Sequence, residues 1–175
     1  NPGHLPIMVL VEAKDEVIPD PVNLGFVIPL PFGADALDRI DEEIRSVFPA
    51  EQLIVPDDVR GDFATLEAAI LTEGWPRLSQ ARGKIMFALD NGGEKRDTYS
   101  VGHTSLEGRV LFTASPAGTP EAAFMKRNNP LENPGEIESL VKQGYLVRTR
   151  ADTDTVHARP GEQGSVHLDA LWLAR

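Results

Sequence analysis

Cysteine is absent from the 175 residues, which excludes a disulfide scaffold, a thiolate metal centre and a cysteine nucleophile together. The absence leaves the compartment open, because many exported proteins carry none. Positive charge is scarce: 17 Lys+Arg stand against 27 Asp+Glu, a formal net charge of -10. Such a surface repels phosphate backbones and anionic lipid at long range, which argues against nucleic acid as a partner. Long apolar runs are missing too. PIMVLV (6–11) and KIMFAL (84–89) are strand-sized, far short of the roughly 20 residues of a transmembrane segment. A Gly-rich dinucleotide loop, a P-loop and a nucleophile elbow do not occur, so the commonest doubly wound functions have no support. Internal repeats and low-complexity tracts are likewise absent. The chain opens on Asn1-Pro2 without an initiator methionine or a signal segment, and the natural N-terminus is expected upstream.

What is present is ordinary globular material, 41% apolar and 25% charged, in an amount that forms one domain with a hydrophobic core. Strand-like runs fall at 6–11, 84–89, 109–113, 122–126 and 145–149, and helical patterns lie between them. In ALDRIDEEIRSVF (36–48), Leu37, Ile40, Ile44, Val47 and Phe48 recur at helical spacing and Pro49 ends the run. TLEAAILTEG (65–74) closes on Gly74, and ESLVKQG (138–144) follows Asn133-Pro134 and closes on Gly144. Continuous apolar strands of this kind belong to parallel sheets covered on both faces. Alternating strands and helices admit a doubly wound sheet or a (β/α)8 barrel, and periodicity does not choose between them.

Six segments carry more information: NPGHLPIMVLVEAKDE (1–16), LDRIDEEIRSVFP (37–49), LIVPDDVRG (53–61), GWPRLSQARGKIMFALDN (74–91), LEGRVLFTAS (106–115) and GYLVRTRADTDT (144–155). In this order and spacing they resemble the bacterial, Streptomyces-type branch of the calcium-dependent phosphoinositide-specific phospholipases C. The resemblance implies a TIM barrel of the PLC-like phosphodiesterase type. Such barrels run to about 250 residues, so an incomplete (β/α)8 barrel is expected here. Residues 1–159 would be the partial catalytic barrel and 160–175 a divergent C-terminal tail.

The resemblance also implies a chemistry. In the family one histidine acts as base on the inositol 2-hydroxyl, which attacks its neighbouring phosphodiester, and a second protonates the diacylglycerol leaving group. Calcium supplies Lewis-acid help through oxygen ligands. The family's histidine segments have no counterpart in this chain, so no catalytic residue is assigned; His4, His103, His157 and His167 read as surface or loop residues.

Glu12 matches a glutamate that gives calcium one oxygen, and it stands where barrel enzymes hold their sites, at a C-terminal strand end. Lys14 falls on the same side by strand alternation, either to touch a phosphate or to pair with Glu12. Lys84 opens its strand and reads as a structural anchor. Ala88 and Asp90 stand where eukaryotic relatives carry two lysines for ring phosphates, which implies contact with free inositol hydroxyls instead. Arg150 matches a substrate-contacting arginine, with an ion pair to Asp152 as its plain alternative. Ser115 aligns loosely with a ring-contacting serine, with an ordinary loop serine as the alternative.

The function so implied is cleavage of phosphatidylinositol to diacylglycerol and a cyclic inositol phosphate, during transient contact with a membrane surface, by a secreted or extracytoplasmic enzyme. Two other readings stand beside it: a non-catalytic fragment or decayed member, and a glycerophosphodiester phosphodiesterase, which shares a barrel and a metal. LIVPDDVRG and RGKIMFALDN favour the phospholipase over the latter.

Overall fold

The computed structural model describes residues 3–17 and 19–150. The apolar runs become parallel strands and their spacers become helices, in the order β1 (Ile7–Val11), α1 (Ala34–Val47), β2 (Leu53–Ile54), α2 (Pro56–Arg60), α3 (Leu66–Thr72), α4 (Leu78–Ala81), β3 (Ile85–Leu89), α5 (Gly93–Ser100), β4 (Leu111–Thr113), β5 (Phe124–Lys126), α6 (Pro134–Gln143) and β6 (Leu146–Arg148).

Strand β3 is the hub. Its full length pairs with β1 on one edge, while β2 takes the first half of the other edge and β4 the second half. A bridge from Ala114 to Phe124 carries the arc on to β5, which pairs with β6. Every pairing is parallel, so the chain must return by a crossover each time; helices lie in the returns to β2, β3, β4 and β6, while residues 114–123 lead from β4 to β5 without one. The result is the incomplete TIM barrel, bent round side chains that include Met86, Ala88, Phe112 and Phe124, all buried. Burying a side chain of Phe or Leu size contributes about 1.5–3 kcal/mol, and Leu89, Leu111, Phe112 and Phe124 are fully enclosed.

Register decides which residues share a face. Partners across a parallel pair point the same way, and residues two apart in one strand do also. Val9 pairs with Phe87, and the Phe87 ring meets Phe48 at the end of α1, with centroids 5.6 Å apart. That face is therefore the helix side. The alternate set, Met8 and Leu10 with Met86 and Ala88, lines the barrel side, and Glu12 and Asp90 continue it beyond the strand ends.

Several boundaries differ from the sequence expectation for local reasons. Strand β4 begins at Leu111 rather than 109, because Arg109 donates its backbone N–H to Leu106 O and turns its guanidinium to Asp38 and Asp41. Strand β5 begins at Phe124 rather than 122, since Ala122 N–H closes a turn on Thr119 O. Helix α3 starts after Thr65, whose hydroxyl accepts from Ala68 N–H at 3.0 Å. Helix α6 starts earlier than 138, with Pro134 in its first turn. It ends at Gly144, which has φ +106°, and a Cβ there would stand 3.0 Å from Ile70 O. Only glycine meets both conditions.

Strand β1 is not covered on both faces as expected of its apolar run: Ile7 and Leu10 are exposed. Its outer edge and that of β6 have no strand partner among the described residues. Lys84 is the anchor anticipated, its Nζ donating to Leu53 O at 3.3 Å. No helix among the described residues is long and apolar enough to cross a membrane. The tail expected at 160–175, Asp152, His157 and His167 lie outside the described residues.

Candidate active site

The C-terminal ends of the strands carry the polar residues, as they do in barrel enzymes generally. Asp90 follows β3, its N–H extending the ladder to Val11 O at 2.8 Å. The residue is buried, 8% exposed, and its carboxylate faces two cations from β5 and β6. Oδ2 lies 3.5 Å from Lys126 Nζ and 3.7 Å from Arg148 Nη2. Lys126 also donates to the Asp90 carbonyl at 2.5 Å. Residues 126 and 148 are register partners at the ends of β5 and β6, so the sheet delivers both cations to the same spot. Asp90 Oδ1, although buried, has no donor among the described residues. A buried carboxylate oxygen in that condition is costly unless a ligand or solvent supplies the missing hydrogen bond.

Beside this cluster lies an open cavity of about 600 Å³, lined among others by Glu12, Asp15, Phe32, Asp90, Asn91 and Lys126. Asn91 fixes the wall, its side chain accepting from Ala13 N–H at 2.7 Å and donating to Ala13 O at 3.1 Å. Asp15 forms the far rim. Its hydrogen bond with Lys95, then that from Phe32 N–H, hold its carboxyl below the usual aspartate value.

The residues singled out in the sequence scatter over this geometry. Glu12 and Asp90 share the barrel side at adjacent strand ends. Lys14 pairs with Glu12, Nζ to Oε2 at 3.2 Å, and both side chains are at least half exposed. Ser115 is buried and turned to the opposite face, where its hydroxyl bonds Thr113 Oγ1 at 2.9 Å. Arg150 is exposed, and its backbone N–H bonds Asn128 O at 3.1 Å. The arginine that reaches Asp90 is Arg148. Neither Arg148 nor Lys126 was singled out in the sequence; alternation along VRTR separates residues 148 and 150 only by where the strand ends, and the motif does not say. The histidines within the described residues, His4 and His103, bond Leu5 O and Glu107 O and line no part of the cavity.

Calcium fits this wall only in part. The ion takes six to eight oxygens, and no group of three or more acidic or histidine side chains converges to hold a metal among the described residues. Glu12 is a half-exposed carboxylate at a strand end, suited to one of those positions.

Residues 1–171 match the family "Phosphoinositide phospholipase C, Ca2+-dependent". The chain belongs to this family. The phospholipases C of this family are calcium-dependent, as its description states. Among solved structures, a calcium-dependent phosphoinositol-specific phospholipase C from a Gram-negative bacterium, Pseudomonas sp, superposes with a TM-score of 0.59 at 16% identity, over 85% of this chain and 52% of that one. A calcium-dependent phosphatidylinositol-specific phospholipase C from Streptomyces antibioticus does so with a TM-score of 0.59 at 22% identity, over 84% and 53%. Identities this low speak for the fold alone, and they place this arc within the PLC-like barrel. The chain spans about half the length of these solved relatives. No curated protein matches the chain.

Proposed function

We propose that this chain serves the cleavage of phosphatidylinositol to diacylglycerol and inositol phosphate outside the cytoplasm, at a membrane surface, and that its described residues form the wall holding the inositol headgroup. One observation carries the reading. A buried carboxylate stands between two cations at the strand ends, with one oxygen still lacking a donor. An inositol phosphate ester matches that arrangement: ring hydroxyls donate to Asp90 Oδ1, and Lys126 and Arg148 face the phosphate. Asp90 also holds the two cations apart and aimed, so neither must be ordered when substrate arrives. The Pseudomonas phospholipase was solved as a myoinositol complex, which agrees with a ring-binding wall. Glu12 would give calcium one oxygen, and bound calcium would supply electrophilic help at the phosphate. Lys14, paired with Glu12, would shield that carboxylate until the metal displaces it. The general base and acid would come from outside the described residues.

Titrating the 175-residue chain with myo-inositol while following its amide resonances tests this. Shifts should centre on Asp90, Lys126 and Arg148, and Asp90→Ala should weaken binding about tenfold, the scale of one hydrogen bond to a charged group. Binding that ignores Asp90→Ala, or shifts centred elsewhere, would remove the headgroup wall. The same chain with calcium should leave phosphatidylinositol intact, and turnover abolished by a chelator would show that it holds its own acid and base.

A further inference from the structure

Strands β1 and β3 lie side by side as far as Val11 and Leu89, and the last backbone bond of their ladder runs from Asp90 N–H to Val11 O. The pattern of a parallel pair sets what should come next. At the other end Ile7, opposite Ile85, donates its N–H to Lys84 O, the carbonyl one residue before its partner. The same register carried two residues beyond Val11 and Leu89 sets Ala13 opposite Asn91. Ala13 N–H would then go to Asp90 O, and Ala13 O would accept from Gly92 N–H.

Among the described residues neither of these backbone bonds is made. The Asn91 side chain takes both places, with Oδ1 accepting from Ala13 N–H at 2.7 Å and Nδ2 donating to Ala13 O at 3.1 Å. A primary amide carries the acceptor and the donor of a peptide group, so asparagine can stand in for the rung. The exchange leaves the Asp90 carbonyl without its ladder donor, and Lys126 Nζ takes it at 2.5 Å. Asp90 thereby holds Lys126 twice, by its backbone carbonyl and, at 3.5 Å, by Oδ2 of its carboxylate. A lysine ammonium on its flexible stem has no fixed place without such anchors.

We propose that Asn91 is a positioning residue for Lys126: by closing the β1–β3 rung with its own amide, it releases the Asp90 carbonyl to anchor the ammonium that faces the substrate phosphate. This role rests on reading the cavity as a headgroup site. Asn91 is not an ordinary turn asparagine, which bonds backbone about two residues away. Its partner lies 78 residues away in sequence and is buried, Ala13 being 4% exposed. Ala13 is also the residue after Glu12, so one side chain sets the candidate calcium carboxylate and the phosphate-facing lysine against each other.

Scalar couplings across hydrogen bonds test this in the isotopically labelled 175-residue chain. Ala13 N–H should couple to the side-chain carbonyl carbon of Asn91, and Lys126 Nζ to the backbone carbonyl carbon of Asp90. Coupling of Ala13 N–H to the Asp90 carbonyl instead overturns the proposal before any residue is changed. In Asn91→Ala the rung should close through the backbone, with Ala13 N–H now coupled to Asp90, and the Lys126 ammonium resonance should fade as its protons exchange with water. Affinity for myo-inositol 1-phosphate should fall about tenfold, the scale of one hydrogen bond to a charged group, while affinity for myo-inositol, which lacks the phosphate, should change little. A Lys126 resonance as sharp in Asn91→Ala as in the parent chain, or equal losses for the two compounds, overturns the positioning role. Should Asn91→Ala not fold, Asn91→Asp decides: it keeps the acceptor for Ala13 N–H and should keep the Lys126 resonance, whose loss there would count equally against the role. A parent chain that shows both couplings and binds neither compound removes the headgroup wall and leaves the exchange of partners at Asp90 standing.

Discussion

Asp90 keeps one buried oxygen, Oδ1, without a donor among the described residues, while Oδ2 faces Lys126 and Arg148. The cavity beside it carries more carboxylates, Glu12, Asp15, Glu16, Asp90 and Glu94, than cations, Lys95 and Lys126. A phosphate on the inositol ring would therefore meet a largely acidic wall. Glu12 differs, being half exposed and paired among the described residues with Lys14. An exposed pair of this sort is worth at most about 1 kcal/mol, so Glu12→Gln should leave the thermal midpoint of the chain nearly unmoved. In a longer enzyme that binds calcium, the same substitution should weaken the metal and cost on the order of a hundredfold in rate at limiting calcium. Calorimetric titration and initial rates measure the two effects, and full activity at limiting calcium would take Glu12 out of the metal site. Glu12 and Asp90 were singled out by their match to family positions, and the structure sets both on the barrel side at adjacent strand ends. Lys126 and Arg148 were not, since each is one cation among several in a polar stretch, and only the register of β5 with β6 brings them to one place.

Among the elements, α1, α5 and the start of β4 are joined by a buried polar latch. Tyr99 on α5 donates to Asp41 on α1 at 2.6 Å and accepts from Leu111 N–H at 2.9 Å. The guanidinium of Arg109 lies 4.4 Å over the Tyr99 ring and ion-pairs with Asp38 and, at 3.5 Å, with Asp41. Removing the hydroxyl leaves both an amide and a carboxylate oxygen underbonded in the interior, so Tyr99→Phe should cost about 1–3 kcal/mol in denaturant unfolding. Burial raises the Asp41 pKa, opposed by Tyr99 and Arg109. A raised folded value means stability present at low pH and lost as pH rises through it. The deficit of Tyr99→Phe should therefore be larger at neutral pH than in acid, and an equal deficit at both would show that Asp41 is not the partner that matters.

The turn at 20–26 has the opposite sign. Asp20 accepts there from the N–H groups of Leu24 and Gly25 at 2.7 Å each, and these backbone donors, Leu24 N–H first, lower its pKa below the usual 3.8. The turn is held above that value and released as pH falls through the lowered one, which should appear as loss of the downfield amide shifts of Leu24 and Gly25; shifts unchanged to the end of the acid range would remove Asp20 from the turn.

Helix α1 was readable because its apolar residues keep the helical period. Helix α5, GEKRDTYS, was not, since it buries little beyond Tyr99. Strand β2 is two residues long, too short for any period to register.

At the scale of the molecule, the described residues form an arc of parallel strands. Strands β1 and β6 each present an outer edge unpaired among the described residues, and β1 exposes Ile7 and Leu10 as well. Exposed edges and apolar strand faces invite association. The 175-residue chain should therefore unfold over a broad range and sediment as larger species with rising concentration. A sharp, reversible, concentration-independent transition of a monomer would contradict this. The barrel class was legible only through motif order, because periodicity alone leaves an open sheet equally possible. The two edges have a further meaning. Each is a template with a set strand direction, so a separately made polypeptide that carries parallel strands could pair along β1 or β6, and mixing the two would join them without a peptide bond.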